Sequence, residues 1–130
     1  MGDRSLQTVT KLSRLSVEET VVLLSAEIEA RGLKLFALID HSGEAAQAGL
    51  DLRETKVVMF GSPVAGTPVM QAAPLAALDL PLKALVWDDD GQTKITYTAP
   101  AALAARYSLD DALAQRLAGI DVVTDAVLAR

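Results

Sequence analysis

The sequence predicts an α+β fold: a mixed, mostly antiparallel sheet of four to five strands with helices packed on it. Short apolar runs bounded by Gly or Pro alternate with capped, helix-periodic segments, and Asp90-Gly91 separates two strand-like runs. The resulting order is β-α-β-α-β-α-β-β-α, in which a C-terminal β-hairpin is followed by a long helix. A tight hairpin in this order favours α+β over a doubly wound parallel sheet.

The composition fits one soluble domain spanning residues 1–130, with 51% apolar and 22% charged residues. The absence of cysteine excludes disulfides, thiolate catalysis and cysteine zinc sites. A net charge of −5 argues against nucleic acid as a partner. No apolar run suits a signal peptide or reaches the ~18 residues of a membrane span, so we expect a cytoplasmic protein with no membrane partner.

The first elements follow from local signals. Leu6–Lys11 is a weakly alternating strand, and Ser16 opens a helix through a capping box with Glu19. Gly32 supplies the left-handed stop of that helix. Its apolar face is built from residues spaced four, three and four apart: Val17, Val21, Leu24 and Ile28.

Two interior strands are predicted next, Leu33–Asp40 and Thr55–Phe60, because both runs are apolar and too short for a helix. Between them, Ser42 caps a short helix over Glu44–Ala48. After the second strand, Thr67-Pro68 has the pattern of an N-cap followed by proline at the first helical position.

Pro74 is incompatible with one continuous helix from Pro68 to Leu78, so we expect a kink or two short helices there. The hairpin strands are Leu82–Asp89 and Gln92–Thr98. The two-residue Asp90-Gly91 loop sets the register, which pairs Asp89 with Gln92 and Trp87 with Lys94.

The last segment begins with the capping pattern at Ser108 and continues in helical phase from Leu109 to Val127. One long helix, bent at Gly119, is the expected result.

His41 is the first candidate functional residue, because it lies where a buried strand emerges into a loop. Its imidazole can act as a general acid or base near neutral pH. The alternative is a structural role, in which His41 hydrogen-bonds the following turn and Asp40 caps it.

The loop from Gly61 to Thr67 is the second candidate. Its glycines, the hydroxyls of Ser62 and Thr67, and a helix N-terminus suit a small anion. The Gly61 and Gly66 spacing matches a P-loop, but Thr67 stands where that motif needs Lys, which excludes nucleotide hydrolysis. The alternative is a purely structural turn.

Lys83, one residue inside the hairpin, is the third candidate. A charge on an apolar strand needs a partner, so an ion pair with Asp79 or Asp40 is expected, in either a structural or a catalytic role. His41 with Met70 is also compatible with axial haem ligation, although Met70 alone is typical of core packing. One His and no Cys cannot form a His-rich zinc centre, and no metal site is predicted.

Three linked motifs resemble the bacterial and archaeal family called domain of unknown function 302. The resemblance implies a small α+β domain that forms dimers and has no established activity. Ser62 stands where the family usually has Asn before the proline. The motifs are Phe36-Ala37-Leu38-Ile39-Asp40-His41, Val58-Met59-Phe60-Gly61-Ser62-Pro63 with Gly66-Thr67 and Met70, and Leu78-Asp79-Leu80-Pro81-Leu82-Lys83 with Val86-Trp87-Asp88.

The functional expectation is a small homodimeric binding domain for an anionic or polar ligand, with a pocket where His41, the Gly61–Thr67 loop and Lys83 meet. The mean hydropathy of +0.29 favours the homodimer. One alternative is an enzyme with His41 as general acid or base and Lys83 as electrostatic stabiliser. A second is haem binding through His41. Residue patterns identify neither a cofactor nor a reaction.

Overall fold

A five-stranded sheet organises the part of the chain that the computed structural model describes, residues 7–130. The strand order is β1-β5-β4-β3-β2, and each neighbouring pair is antiparallel. This arrangement confirms the α+β prediction. Leu6, the predicted start of the first strand, lies outside the described residues. The strands are β1 Thr8–Ser13, β2 Lys34–Asp40, β3 Thr55–Gly61, β4 Leu82–Asp89 and β5 Gln92–Thr98.

Helices cover one face of this sheet. The described α-helices are α1 Val17–Ala30, α2 His41–Gln47, α3 Pro63–Ala72, α4 Pro100–Arg106, α5 Asp111–Gln115 and α6 Gly119–Leu128, with a 3₁₀ helix at Pro74–Asp79. No helix in residues 7–130 has the length and apolar character needed to cross a membrane.

The main core lies between the sheet and the helices α1 and α6. It is formed by fully or almost fully buried apolar side chains, which include Leu24, Ile28, Val58, Phe60, Val86, Ile95, Ile120 and Val123. The predicted capping box opens α1: the Glu19 amide donates to Ser16 Oγ at 3.0 Å, and the Ser16 amide donates to the Glu19 carboxylate at 3.3 Å. A second, smaller cluster at one end of the sheet contains Val69, Ala76, Leu103 and Leu117.

The opposite face of the sheet carries apolar side chains that remain partly exposed. Strand pairing places Ile39 beside Val57 and Val57 beside Leu85. Because side chains alternate between the two faces along a strand, Met59 and Trp87 lie on this face as well. We call these five residues the open face. Ile39 is 36% exposed, so this surface is accessible in the single chain.

The hairpin forms in the predicted register, with Asp89 opposite Gln92 and Trp87 opposite Lys94. Asp90 and Gly91 have φ values of 54° and 95°, the left-handed region that a type I′ turn requires.

Two predicted helix starts are wrong. The helix α2 begins at His41 and is capped by Asp40, whose Oδ1 accepts from the Gly43 amide at 2.9 Å, not by Ser42. The helix α3 begins at Pro63, so Thr67 and Pro68 lie inside it. Ser62-Pro63 and Thr67-Pro68 carry the same cap-and-proline signal, and the pair that directly follows the strand is the one that starts the helix. The 3₁₀ helix from Pro74 confirms the predicted pair of short helices.

The C-terminal part of the chain contains one helix that the sequence analysis missed, α4, although Pro100 at its first position is a start signal. The long helical segment is confirmed and is divided immediately before Gly119 into α5 and α6. The N-cap of α5 is Asp110, whose side chain accepts from the Leu113 amide at 2.9 Å. The predicted cap, Ser108, has a φ of 52°, a left-handed conformation instead of the extended one that an N-cap typically adopts.

Candidate functional site

A cavity of about 270 Å³ opens where β3 ends and α3 begins. Four predicted site residues line it: Gly61, Ser62, Gly66 and Thr67. Most of the remaining wall is apolar. It is formed by Phe36, Pro63, Ala65, Met70, Leu80, Pro81, Leu82 and Leu117, together with Arg116.

The two glycines keep this cavity open. A Cβ atom built on Gly61 would lie 3.9 Å from both Phe36 and Pro81, and one on Gly66 would lie 3.9 Å from Leu80 and Met70. These are ordinary van der Waals distances, so neither glycine is required to avoid a clash. A side chain larger than a methyl group at Gly66 would instead enter the cavity.

The backbone amides of the loop do not form the predicted anion nest. The amides of Ala65 and Gly66 donate to the Ser62 carbonyl at 3.1 and 2.8 Å, and the Ala65 amide is also 3.3 Å from Ser62 Oγ. Ser62 therefore acts as the N-cap of α3, as the structural-turn alternative expects. Polar recognition in the cavity must come mainly from side chains.

One cation, Arg116, lines the cavity, and Lys34 and Lys83 each contact one residue of its wall. The Lys34 ammonium lies 4.9 Å from the centroid of the Phe36 ring, and Lys34 pairs with Gly61 across the sheet. The Lys83 ammonium donates to the Pro81 carbonyl at 3.3 Å. Each cation therefore contacts or belongs to the cavity wall.

Arg116 lies beside a backbone carbonyl of α3 that has no intrahelical donor. Pro68 has no N–H group, so it cannot donate to the Val64 carbonyl one turn earlier. The Arg116 Nη1 atom lies 3.5 Å from that carbonyl oxygen. Sequence analysis missed Arg116 because no local pattern connects it with a loop about 50 residues earlier.

His41 lies at the other end of the sheet, which contradicts the expected meeting of three segments. Lys34 pairs with Gly61 and Asp40 with Lys56, so five residues of β3, roughly 17 Å, separate the cavity end from the His41 end. The physical reason is strand direction: β2 and β3 are antiparallel, so their carboxyl ends lie at opposite ends of the sheet.

The same register separates His41 from Lys83. The strands β2 and β4 flank β3, and Lys83 pairs with Met59, which places the two backbones on the order of 15 Å apart. The predicted cleft in which His41 acts as general acid or base beside Lys83 is therefore wrong. Met70, at the cavity end, cannot share one haem iron with His41. Haem binding through His41 alone stays a prediction.

The predicted ion pair of Lys83 is also wrong. Asp79 instead accepts from Tyr107 and from Arg106, whose Nη1 atom is 2.9 Å away. The hydrogen bond from Tyr107, followed by that from Arg106, holds the pKa of Asp79 below its usual value. Asp40 is occupied as the cap of α2. Within residues 7–130, Lys83 therefore has no carboxylate partner.

The described residues also include no group of three or more His, Asp or Glu side chains placed to hold a metal ion.

Known proteins resemble this chain in sequence and in fold. Two curated relatives, both named "Fluoride-specific ion channel FluC 1", come from Brucella suis biovar 1 (strain 1330) and Brucella abortus biovar 1 (strain 9-941). Both are 40% identical over 121 residues, which is 89% of this chain. The match covers 48% and 45% of the relatives, so the chain spans about half their length.

A solved structure has the same fold. It is the crystal structure of an uncharacterized conserved DUF302 protein from Bacillus stearothermophilus, with a TM-score of 0.79 at 23% identity. The superposition covers 94% of this chain and 95% of that one. The profile of the family "Domain of unknown function DUF302" matches residues 9–127. This chain therefore belongs to the DUF302 family, as its three linked motifs indicate.

Proposed function

We propose that this DUF302 domain binds a small ligand in the cavity beside the Gly61–Thr67 loop, and that the ligand combines an apolar body with a polar or anionic group. The observation that carries the proposal is an apolar cavity whose wall includes Arg116, a cation that has no carboxylate partner in the described residues. Ligand sites typically combine apolar walls with a few polar groups that orient the ligand.

The cavity volume sets the size of the ligand, or part of a ligand, that it can enclose. A volume of about 270 Å³ corresponds to about nine waters at roughly 30 Å³ each. An organic molecule of about eight to ten non-hydrogen atoms fits this space. At about 0.5 kcal/mol per atom, the binding free energy is about 4 to 5 kcal/mol, which corresponds to a Kd between roughly 0.2 and 1 mM.

A thermal-shift experiment tests the proposal. The probes are hexanoate, hexanamide and hexanol, each at several millimolar, with the parent protein and two variants. Gly66→Leu fills the cavity, and Ala72→Leu adds the same side chain at an exposed position of the same helix. We expect at least one probe to raise the Tm of the parent and of Ala72→Leu but not of Gly66→Leu. No shift with any probe, or an equal shift in Gly66→Leu, would refute cavity binding.

We also propose that the chain forms a homodimer through the open face. A two-fold dimer uses the same patch on both copies, and an apolar sheet face can bury itself against its own copy. Leu85 lies in the centre of the open face, between Val57 and Thr96. Light scattering after size-exclusion chromatography should show a dimer for the parent and for Val122→Lys, an exposed α6 control, and a monomer for Leu85→Lys. A monomeric parent at micromolar concentration contradicts this.

A second candidate function is an association with fluoride transport, because the Brucella relatives are named fluoride-specific ion channels and share this domain at 40% identity. In this proposal the domain itself senses fluoride. Titration with sodium fluoride should then raise the Tm, whereas sodium chloride at the same concentration should not. Equal effects of the two salts would remove this candidate and leave the organic-ligand proposal intact.

A further inference from the structure

We infer that the ligand of this cavity is a small monocarboxylate with an apolar body, and that Arg116 is the residue that binds its carboxylate. The inference rests on the proposed function, because it names the chemical class of ligand for the same cavity. It also assigns a binding role to a residue at the cavity wall that no sequence motif marks.

Arg116 has hydrogen-bonding capacity to spare. A guanidinium carries five N–H donors, and in the described residues the one contact it makes is the 3.5 Å approach to the Val64 carbonyl. This distance exceeds the usual range of about 2.7–3.2 Å, so even that donor is weakly used. The side chain is exposed, and it lines the cavity. A ligand can therefore reach the guanidinium without breaking an existing ion pair.

The distribution of charge directs an anion to this site. Eleven Lys and Arg residues lie within residues 7–130, and six of them form ion pairs with carboxylates. Of the other five, Arg116 lines the cavity, and Lys34 and Lys83 each contact one of its wall residues, Phe36 and Pro81. The protein as a whole carries a net charge of −5, so this grouping is a local positive region on an acidic protein.

The donor set favours a carboxylate over a phosphate. The planar fork of one guanidinium matches the two oxygens of a carboxylate. Phosphate sites at helix N-termini use several free backbone amides, but Ser62 occupies those of Ala65 and Gly66. The apolar walls formed by residues such as Phe36 and Leu80 fit an alkyl or aryl body rather than a sugar.

Calorimetric titration with hexanoate and hexanamide tests the assignment, because the two probes have nearly the same shape and differ in charge. The proteins are the parent, Arg116→Gln, Arg116→Lys and the control Arg14→Gln. Arg14 is an arginine outside the cavity that also has no Asp or Glu partner in the described residues.

We expect the parent and Arg14→Gln to bind hexanoate about tenfold more tightly than hexanamide. Arg116→Gln should bind both probes within about twofold of each other, with its affinity for hexanamide unchanged. Arg116→Lys should retain part of the preference, because it keeps the charge and loses the planar fork. Unchanged hexanamide binding also shows that each variant is folded.

Equal binding of the two probes by the parent, or an undiminished preference in Arg116→Gln, would overturn the inference and leave the cavity as a neutral-ligand site. Displacement of hexanoate by inorganic phosphate at a similar concentration would also overturn it. Failure of both probes to bind the parent would also overturn the inference, and if hexanol does not raise the Tm either, the proposed function is refuted with it.

Discussion

Replacing Gly66 by alanine should make the protein more stable and its cavity smaller. Gly66 lies inside α3, where alanine is favoured over glycine by up to about 1 kcal/mol. The added Cβ would lie 3.9 Å from Leu80 and Met70, an ordinary contact distance, so no strain offsets this gain. We therefore expect the free energy of unfolding to rise by about 1 kcal/mol and the Tm by roughly 3–5 °C.

The same methyl group occupies space that a ligand needs. It removes roughly the volume of one water, about 30 Å³, from a cavity of about 270 Å³. Hexanoate should therefore bind Gly66→Ala a few-fold more weakly than the parent, although the variant is more stable. A glycine that lowers stability and serves the cavity is an example of function maintained at the expense of stability.

Urea unfolding and thermal denaturation measure the change in stability, and calorimetry measures the affinity. Gly91→Ala is the matched control, because Gly91 has a φ of +95° and alanine there is strained. It should lower stability by about 1 kcal/mol or more and leave hexanoate binding unchanged. A destabilised Gly66→Ala, or one that binds hexanoate more tightly, would refute the reasoning about this glycine.

Further predictions concern the core, a cap, a carboxylate and the histidine. Phe60→Ala, at a fully buried position, should cost about 3–5 kcal/mol in urea unfolding. Ser16→Ala removes the cap of α1 and should cost about 1 kcal/mol. Hydrogen bonds from Arg31 and a second arginine lower the pKa of Glu27. The charged Glu27 side chain therefore contributes to stability above pH 4.5, and this contribution is lost below it. In urea titrations at lower pH, the free energies of unfolding of the parent and of Glu27→Gln should converge. His41→Ala should bind hexanoate in calorimetry as the parent does.

Local signals predicted the elements whose geometry is decided locally. The capping box at Ser16 and the Asp90-Gly91 turn each fix hydrogen bonds or dihedral angles within a few residues, and both form as expected. Where two similar signals compete, the sequence does not rank them. Ser62-Pro63 starts α3 because β3 ends directly before it, and this leaves Pro68 inside the helix.

The candidate site was predictable only in part. The Gly61–Thr67 loop, which its glycines and hydroxyls mark as a candidate anion site, does form one wall of the cavity, but Ser62 accepts from the Ala65 and Gly66 amides, so it is not an anion nest. The expected place of His41 beside the loop is wrong because both follow buried strands whose directions no local pattern encodes, and antiparallel pairing sends the carboxyl ends of β2 and β3 to opposite ends of the sheet. The position of Arg116 beside the cavity results from tertiary packing between α3 and the segment after α5, so no local sequence pattern predicts it.

An NMR titration of the ¹⁵N-labelled protein with hexanoate shows where on the sheet the ligand binds. Binding in the cavity predicts saturable shifts of the amide signals of Gly61, Gly66 and Thr67, and unchanged signals for His41 and Gly43 at the opposite end of the sheet. Saturable shifts confined to the His41 end, or no saturable shift in any assigned amide, would contradict binding in the cavity.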